Sequence, residues 1–416
     1  MLSIQFIREN KVKVAQAAKN KNRDVDLDKL LTLDEKRREL IQQSEKLREE
    51  RNTLASNKNV DEIREKGRAL KEEIKRIEDE LKTVEDEFNQ LMLYVPNVPL
   101  DEVPVGKDES SNVELRKSRL PREFDFPPLS HVELGLQKDL IDTQRGSKIS
   151  GFRGYFVKNK LAQLQMAILF YVFQKLAAKG YTPMIAPSVV KEYTIFGSGH
   201  FPWGRAEDVY KLNGDDDDTY LSGTAEIPVT AYHSGEVLRE MDLPKRYVAM
   251  SPCYRREAGA YGKDTTGIFR VHEFWKIEQV IIAQNDLIIA RELHNELQHN
   301  LEEILEDFEL PYRVMLMCTG DMGEPQILKY DTEVWIPSQQ KYREIASNSI
   351  LGDFQARRLN IKYKTNEGKT EYCYTLNNTA IPSARTLIAL MENHQQQDGT
   401  VHIPKALQHL TGFSTI

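Results

Sequence analysis

Hydrophobic residues recur at seven-residue intervals in two long stretches near the N-terminus of the chain. The first stretch contains the leucine row Leu33, Leu40, Leu47 and Leu54. The second contains two interleaved rows, spaced alternately by four and three residues: Ile63, Gly67, Leu70, Ile74, Ile77, Leu81, Val84, Phe88 and Leu91. This spacing is typical of helices that pack along a coiled-coil seam. Turn-forming residues at 56–59 separate the stretches, so the pattern predicts an antiparallel helical hairpin over residues 27–93.

Charge is unevenly distributed along the predicted hairpin. Its outward faces are almost wholly charged, which argues against the alternative of an ordinary helical hairpin packed on its own domain. Around the turn, residues 46–68 hold five acids and seven basic residues, namely Lys46, Arg48, Arg51, Lys58, Arg64, Lys66 and Arg68. Residues 72–87 hold eight acids and three basic residues. A basic tip suits contact with a polyanion, although solvated i,i+4 ion pairs explain the same charges equally well.

Beyond Tyr94 the helical pattern stops. Residues 94–112 contain Pro96, Pro99 and Pro104 and no helical period, so they are predicted to form a linker. A helix is predicted at 159–179, and strands are predicted at 181–190, 246–251, 269–282, 312–319, 331–337 and 372–376. Their lengths and alternation favour an α+β fold with a largely antiparallel β-sheet flanked by helices. Two domains, 1–103 and 104–416, are expected from this division.

Composition sets limits on the function. The 416 residues carry a net charge of −7, so a nucleic-acid partner would have to meet a local basic patch. The three cysteines, Cys253, Cys318 and Cys373, are widely scattered, which favours reduced thiols and a cytoplasmic location. No apolar run approaches the roughly 20 residues of a membrane span, so no membrane partner is expected. No Gly-rich dinucleotide motif or P-loop occurs, and the acidic run 215–218 is interpreted as a hairpin tip without metal.

The densest cluster of polar residues lies at 253–280. It is predicted to form a strand, a Gly-rich loop and a return strand. Arg255 and Glu257 are predicted to share one strand face, and the return strand presents on one face Arg270, His272, Phe274, Lys276 and Glu278. A charged sheet face needs water, cross-strand ion pairs or a charged ligand, because the burial of unpaired charge is costly. The residues by themselves leave a solvated face and a binding site as alternatives.

The segment YRREAGAYGKDTTGIFRVHEFWKIE resembles motif 2 of class II aminoacyl-tRNA synthetases, and most closely that of the seryl-tRNA synthetases. GYTPMIAPSVV is similar to motif 1, with Pro187 at the proline of that dimer element, and GTAEIP is similar to the family's serine-binding loop. TGDMG, YDTEVWIPSQQKYREIAS and DFQARR are similar to the blocks that lead to the metal-binding strand. LNNTAIPSARTLIALMENHQ is similar to motif 3. The ordered set covers essentially the whole chain.

The resemblance implies a class II synthetase-type antiparallel catalytic domain, preceded by a tRNA-binding domain with a long antiparallel coiled-coil arm. It implies activation of L-serine with ATP to seryl-adenylate and transfer of the seryl group to the 3′ end of tRNA(Ser), by a homodimer. Charging of tRNA(Sec) is left open. Mg²⁺ that accompanies ATP is the expected cofactor, and zinc is not expected.

The resemblance also implies roles for individual residues. Catalytic roles fall on Arg255, Glu257 and Arg385, and serine binding on Thr224, Ala225, Glu226, Arg255, Glu278, Asn377 and Thr379. ATP binding falls on Arg255, Arg256, Glu257, Arg270, Phe274, Glu344, Ile345, Ala346, Ser347 and Arg385. Glu344 and Ser347 correspond to the Mg²⁺ ligands. The seven basic residues around the turn of the hairpin become candidate tRNA contacts.

The chemistry of these side chains fits the implied roles. The planar guanidinium of Arg255 suits a bridge between the substrate carboxylate and the α-phosphate. Phe274 and Arg385 would enclose the adenine ring, and Arg270 would meet the distal phosphates. Glu278 and Thr379 would recognise the serine hydroxyl, since a site built around a hydroxyl rejects an analogue that lacks it.

Two alternatives remain beside this hypothesis. One is a ligase that loads an amino acid onto a carrier protein, which the presence of the long arm argues against. The other is a catalytically inactive paralogue that binds RNA or acts as a scaffold. Retention of Arg255, Glu344 and Arg385 argues against this second alternative.

Overall fold

The structure is a computed structural model that describes residues 1–54, 60–202, 206–214, 218–258, 262 and 264–416, with backbone alone at 60–64 and 206. It divides into two compact units, Met1–Val98 and Pro99–Ile416. The predicted turn at 56–59, which includes Lys58, lies outside the described residues. The side chain of Arg64 and residues 215–217 of the acidic run also lie outside them.

The first unit is helical. Its helices are α1 (Ile4–Glu9), α2 (Lys11–Asn20), α3 (Leu27–Leu54) and α4 (Val60–Leu93). Ser3 caps α1, because its hydroxyl accepts a hydrogen bond from the backbone N–H of Phe6 at 3.1 Å. With a rise of ~1.5 Å per residue, the 34 residues of α4 extend about 50 Å.

The predicted heptad rows form the contact between α3 and α4. Leu40, Ile77 and Val84 are buried together at this contact. Three further row residues are half-buried against them: Leu33, Leu47 and Leu81. The helical hairpin predicted from the hydrophobic pattern is therefore confirmed.

Ion pairs cross the hairpin beside this seam. Pairs between α3 and α4 include Arg48–Glu78 at 2.6 Å, Lys36–Glu80 at 2.7 Å and Lys29–Glu87 at 3.5 Å. Later positions on α3 meet earlier positions on α4, as antiparallel helices require. Arg48, one of the predicted tip contacts, is thus engaged by Glu78, while the predicted contacts Lys46 and Arg51 are exposed.

The second unit is built on a β-sheet that has eight strands among the described residues. In chain order the strands of this unit are β1 (Val113–Ser118), β2 (Ile141–Asp142), β3 (Phe156–Val157), β4 (Thr182–Ile185), β5 (Val189–Lys191), β6 (Tyr210–Lys211), β7 (Thr219–Leu221), β8 (Val237–Arg239), β9 (Lys245–Tyr254), β10 (Glu273–Ala283), β11 (Tyr312–Leu316), β12 (Leu328–Ile336), β13 (Lys341–Gly352), β14 (Lys362–Lys364), β15 (Thr370–Tyr372) and β16 (Tyr374–Pro382). The large sheet has the order β1-β11-β12-β13-β16-β10-β9-β4. Its neighbouring strands are antiparallel except β4 and β9. The predicted, largely antiparallel sheet is confirmed.

Helices flank this sheet, as predicted. They are α5 (His131–Gln137), α6 (Thr143–Ser150), α7 (Asn159–Ala178), α8 (Glu192–Ser198), α9 (Glu226–Thr230), α10 (Leu287–Asp307), α11 (Phe354–Leu359), α12 (Ser383–His394) and α13 (Lys405–Thr411). Apolar side chains of α7, α10 and α12 form the main core with those of the central strands. Local capping defines several of the helix starts. Ser130 and Glu133, for example, form a reciprocal capping box at α5.

Helix α7 is the one helix among the described residues that is long and apolar enough to cross a membrane by length and composition. The sequence prediction that no apolar run approaches this length missed it. Leu161, Leu164, Ile168 and Leu176 of this helix are fully buried in the main core. Its apolar composition therefore has an explanation in the packing of the second unit.

The polar hairpin at 253–280 differs from its prediction at the strand ends. Strand β9 ends at Tyr254 and β10 begins only at Glu273, so the connecting loop contains Arg255, Glu257, Arg270 and His272. The prediction that these four residues lie on strand faces is wrong. The left-handed backbone of Glu257, with φ of 55°, is incompatible with a continuing strand.

Residues 99–112, the second part of the predicted linker, pack on the second unit. The N–H of Leu100 donates to the carbonyl oxygen of Ile327 at 2.9 Å. Val103 is buried in the main core. The proline-rich composition ended the helical pattern, but it did not exclude ordered packing.

Replacement of Ile77 by alanine tests the seam of the hairpin. Loss of this buried side chain should cost about 3 kcal/mol in the free energy of unfolding of the first unit. Urea unfolding of the full chain, followed by far-ultraviolet circular dichroism, measures the change. The matched control Lys75→Ala, at an exposed position of α4, should change it little. Equal stability of the two variants would contradict the assigned seam.

Candidate active site

A cavity of about 160 Å³ lies in the second unit beside the central strands β10, β13 and β16. Residues from these strands, from the loop between β9 and β10, from other loops and from the starts of α9 and α12 line it. The lining contains most of the site residues predicted from the sequence: Thr224, Glu226, Arg255, Glu257, Arg270, Phe274, Glu278, Glu344, Ile345, Ala346, Ser347, Asn377, Thr379 and Arg385. The structure thus brings together side chains that are widely separated along the chain.

A β-bulge on β13 lets Glu344 and Ser347 face the same cavity. Residues three apart on a regular strand point to opposite faces of the sheet. The pairing of β12 with β13 shifts by one residue between Thr332 and Glu333, which makes Ile345 the extra residue of β13. The extra residue cancels the alternation, and both Glu344 and Ser347 line the cavity.

A second bulge acts in the same way on β16. The pairing of β10 with β16 shifts between Ile277 and Glu278, which makes Ala380 the extra residue of β16. Thr379 and Pro382, three residues apart, therefore both line the cavity. Strand bulges are found next to active sites because they re-aim individual side chains without breaking the sheet.

Two carboxylates in this cavity share one amide group. Nδ2 of Asn377 donates to Oε2 of Glu226 at 3.0 Å and to Oε1 of Glu278 at 3.2 Å. Nε2 of Gln355 donates to the other oxygen of Glu226 at 2.8 Å. Burial, and then the nearby charge of Glu278, raise the pKa of Glu226 to about 7. The pair is therefore a place where a bound cation would be stabilised.

Lys276 contacts one of these two carboxylates, that of Glu278. Its Nζ is 2.5 Å from Oε2 of Glu278 and donates to Oγ1 of Thr224 at 2.7 Å and to Oγ1 of Thr379 at 3.3 Å. The sequence analysis put Lys276 on the correct strand face but gave it no role in the site. The available signal was its period-two position between Phe274 and Glu278.

Glu344 and Ser347 offer two oxygen ligands at another part of the cavity. Burial by itself would raise the pKa of Glu344, but the charges of Arg385, Lys329 and Arg255 outweigh it and lower the pKa. Nη1 of Arg385 lies 3.4 Å from Oε2 of Glu344. In the parts of the chain that the structure describes, no group of three or more His, Cys, Asp or Glu side chains is arranged to hold a metal. Two hard oxygens nevertheless fit Mg²⁺, which usually keeps waters and substrate phosphates as its other ligands.

Two carboxylates hold Arg270 of the motif 2 loop. Nε of Arg270 donates to Oδ2 of Asp264 at 3.0 Å, and its Nη1 donates to Oε2 of Glu257 at 3.3 Å. Nη2 of Arg343 donates to the same oxygen of Asp264 at 2.8 Å. Burial opposes ionisation of Asp264, but these two arginines lower its pKa overall. An anionic ligand could replace these carboxylates as the partner of Arg270.

Two arginine side chains of the cavity place their guanidinium groups near aromatic rings. The guanidinium of Arg255 lies 5.4 Å from the ring centre of Phe274, and that of Arg385 lies 4.6 Å from the ring centre of Phe269. The sequence analysis did not include Phe269. Enclosure of an adenine ring between Phe274 and Arg385 stays a prediction.

Two predicted site residues do not line the cavity. Ala225 is fully buried in a separate apolar cluster. Arg256 is exposed, its backbone N–H donates to the carbonyl oxygen of Asp208 at 2.9 Å, and its guanidinium lies 5.9 Å from the ring centre of Tyr210. Both stand next to lining residues in the sequence, but neither lies on a strand: Ala225 precedes α9 with helical backbone angles, and Arg256 lies in the loop after β9.

The sequence analysis also missed several lining residues. These are His200, Phe269, Val271, Lys276, Gln326, Ser349, Pro382 and Ala384. Burial, and then the charges of Arg255 and Lys276, lower the pKa of His200 to about 4, so its imidazole is neutral at pH 7. Most of these residues are small or apolar, and they carry no chemical signal that a single sequence could reveal.

Two family models match this chain. Residues 210–394 match the tRNA synthetase class II core domain (G, H, P, S and T). Residues 1–99 match the seryl-tRNA synthetase N-terminal domain. The second unit therefore has the catalytic core fold of a class II aminoacyl-tRNA synthetase.

Relatives that match over the full length of the chain indicate which family within this class it belongs to. A serine–tRNA ligase of Deinococcus radiodurans is 44% identical over 99% of this chain and 98% of its own length. The crystal structure of seryl-tRNA synthetase from Pyrococcus horikoshii complexed with ATP matches with a TM-score of 0.92 and 36% identity, over 100% of this chain and 99% of that chain. The crystal structure of the cytoplasmic serine–tRNA ligase from Naegleria fowleri in complex with AMP matches with a TM-score of 0.89 and 31% identity, over 100% of this chain and 98% of that chain. The chain belongs to the seryl-tRNA synthetase family.

The carboxyl group of Glu226 is expected to titrate near pH 7 in the ligand-free protein. Its pKa is raised to about 7, so the proton is held below that pH and released above it. Difference infrared spectra across neutral pH should contain a protonated-carboxyl band that Glu226→Gln removes. The matched control Glu344→Gln should leave the band in place, because the pKa of Glu344 is lowered. A band that persists in Glu226→Gln would contradict the assignment.

Proposed function

We propose that this chain is an ATP-dependent serine–tRNA ligase, which activates L-serine to seryl-adenylate and transfers the seryl group to the 3′ end of tRNA(Ser). The observation that carries the proposal is the single cavity that joins the carboxylate pair, the arginine-rich motif 2 loop and the oxygen donors Glu344 and Ser347. These groups match the ammonium of an amino acid, the phosphates of ATP and a hard cation. The full-length relatives support the same assignment.

Activation joins a serine carboxylate oxygen to the α-phosphorus, and the bond from that phosphorus to pyrophosphate breaks. The residues act mainly by positioning and by electrostatic stabilisation, so no covalent nucleophile is required. Arg255 bridges the serine carboxylate and the α-phosphate, where negative charge accumulates. Its Nε already donates to the carbonyl oxygen of Gly223 at 3.3 Å, which fixes the direction of the guanidinium. Glu257, Phe274 and Arg385 hold the adenine, and Arg270 binds the distal phosphates after it leaves Asp264.

Mg²⁺ enters as the ion that accompanies ATP, and Glu344 and Ser347 would hold it. When bound, it would supply positive charge that offsets the negative charge of the phosphates. Asp331 is buried and lies opposite Ser347 on the neighbouring strand. Lys329 balances the charge of Asp331 at 3.0 Å, which keeps this part of the site from excess negative charge.

The N-terminal arm is proposed to bind tRNA, with residues 1–103 as the tRNA-binding domain and 104–416 as the catalytic domain. The tip carries the seven predicted basic contacts, whereas the base of the hairpin is acidic. A basic tip above an acidic base restricts favourable contact with a polyanion to the end of the arm. A long tRNA element such as the variable arm suits this geometry.

A homodimer in the cytoplasm is proposed as the working form. Strand β4 is an edge strand of the large sheet, and Ile185 on it is 77% exposed. Met166 and Phe170 on α7 are 57% and 50% exposed. Large apolar side chains beside an unpaired sheet edge are typical of a surface that a second subunit covers. A monomeric mass by light scattering at working concentration would contradict this part of the proposal.

Serine-dependent exchange of pyrophosphate into ATP is the direct test of activation. The protein with Mg²⁺ should catalyse exchange, and Arg255→Ala should reduce the rate by about 10²–10³-fold, because it removes stabilisation of the α-phosphate charge. Arg239→Ala, which removes an exposed arginine of β8 outside the cavity, should leave the rate unchanged. Absence of serine-dependent exchange by the folded protein would overturn the proposal.

Parallel charging assays with tRNA(Ser) and with a carrier protein separate tRNA ligation from the carrier alternative. Glutamine at Lys46 and Arg51 should reduce charging of tRNA(Ser) by about tenfold and weaken its salt dependence, because two phosphate contacts are lost. Pyrophosphate exchange should remain unchanged in this variant. The matched control replaces Lys75 and Lys82, which are exposed toward the acidic base, by glutamine. Equal effects of the two variants on charging would contradict a role for the tip.

A further inference from the structure

Lys276 is a buried cation that the roles described above leave unexplained. It is 5% exposed, and its partner Glu278 is 1% exposed. An ammonium group has three protons to donate and no lone pair to accept with. Its three partners are Glu278 at 2.5 Å, Thr224 at 2.7 Å and Thr379 at 3.3 Å. All three protons of Lys276 are therefore committed.

This commitment fixes the direction of the hydrogen bond that Thr224 can offer. Its Oγ1 accepts from Lys276 and also from the backbone N–H of Glu226 at 3.2 Å. Both lone pairs of this hydroxyl oxygen are thus in use. The proton of the Thr224 hydroxyl stays available, so this side chain can only donate to a ligand.

Thr379 is fixed in the opposite direction. Its Oγ1 accepts from Lys276 and donates its proton to Oε2 of Glu278 at 3.1 Å. One lone pair of this oxygen remains, so Thr379 can only accept from a ligand. Thr224 and Thr379 both line the cavity and are within hydrogen-bond reach of one nitrogen. The pocket thus presents one donor and one acceptor on the same side.

We infer that Lys276 sets the hydrogen-bond polarity of the serine pocket, so that Thr224 donates to, and Thr379 accepts from, the hydroxyl of the substrate. The inference rests on the proposed function, because it names the hydroxyl of serine as the ligand group. A hydroxyl both donates and accepts, as this pair of partners requires. Alanine leaves both partners unsatisfied, which is costly in a buried site. Lys276 is a positioning residue for this recognition.

The ammonium group also balances the buried charge of the Glu278 carboxylate. Glu226 lies on the other side of the shared amide of Asn377, so two negative charges lie close together. Without Lys276, the charge of Glu278 would be buried with no adjacent counter-ion, which is costly. The hydroxyl oxygens of Thr224 and Thr379 would each regain a lone pair, both hydroxyls could rotate, and the fixed polarity would be lost.

Lys276→Met tests this role, because methionine preserves much of the side-chain volume without the charge. The value of kcat/KM for serine in pyrophosphate exchange should fall by about 100-fold, as expected for loss of a charge-supported hydrogen-bond set. The inhibition constant of alanine against serine should change by less than about threefold, because alanine does not use the pair. The KM for ATP should also change by less than about threefold. The preference for serine over alanine therefore collapses.

Two controls separate this role from a structural one. Lys175→Met removes a lysine from an ion pair with Glu303 outside the cavity, and it should leave the serine–alanine preference intact. In Lys276→Ala, added propylamine should restore serine-dependent exchange, whereas propanol of similar size should not. This rescue also decides the question if Lys276→Met fails to bind ATP.

The possible outcomes are distinct. Unchanged preference in Lys276→Met, equal weakening of serine and alanine, or equal rescue by propylamine and propanol would each overturn the role of Lys276. A wild-type protein without serine-dependent exchange would instead overturn the proposed function itself. A wild-type protein that prefers serine while the variant does not, with amine-specific rescue, supports both.

Discussion

Burial of charge against one face of the large sheet is the constraint on which the second unit depends. Glu278 and Lys276 are almost excluded from water, and removal of either partner from such a pair costs about 3–5 kcal/mol. The carboxylate of Glu226, at the edge of the same group, is held by Asn377 and Gln355. These partners come from β10, β16, α9 and α11, so the charged group is satisfied only when distant segments have assembled. The same interactions therefore stabilise the sheet and form the site.

Precision in this site comes from the strands and their two bulges. Regular alternation alone would turn Ser347 away from Glu344, and Thr379 away from Pro382. One extra residue in each of β13 and β16 corrects this, while the rest of each ladder stays paired. The first unit is stabilised in a different way, because a thin helical hairpin has little interior in which to bury side chains. Its apolar seam is confined to one stripe, and cross-helix pairs such as Arg48–Glu78 cover the sides.

The sequence predicted which residues belong to the site better than it predicted where in the fold each of them lies. Charged residues at period two, together with the ordered family blocks, identified most of the cavity lining. They failed where the backbone leaves regular geometry: Arg255 and Arg270 lie in a loop, and Arg256 points to Tyr210. Lys276 was on the predicted face, but its role depends on three partners that lie up to 103 residues from it along the chain. The periodicity of residues along the chain does not indicate contacts between segments so far apart.

The heptad rows determined the helical hairpin by themselves, because coiled-coil packing is encoded in local spacing. The largely antiparallel sheet and the family blocks could also be predicted from the sequence, since strand alternation and motif order are properties of the chain. Only the tertiary structure decided which faces met in the cavity, through the register shifts at Ile345 and Ala380. It also decided the pKa of Glu226 and the direction of every hydrogen bond around Lys276. Burial and pairing between distant residues set these properties, and both exist only after the sheet has closed.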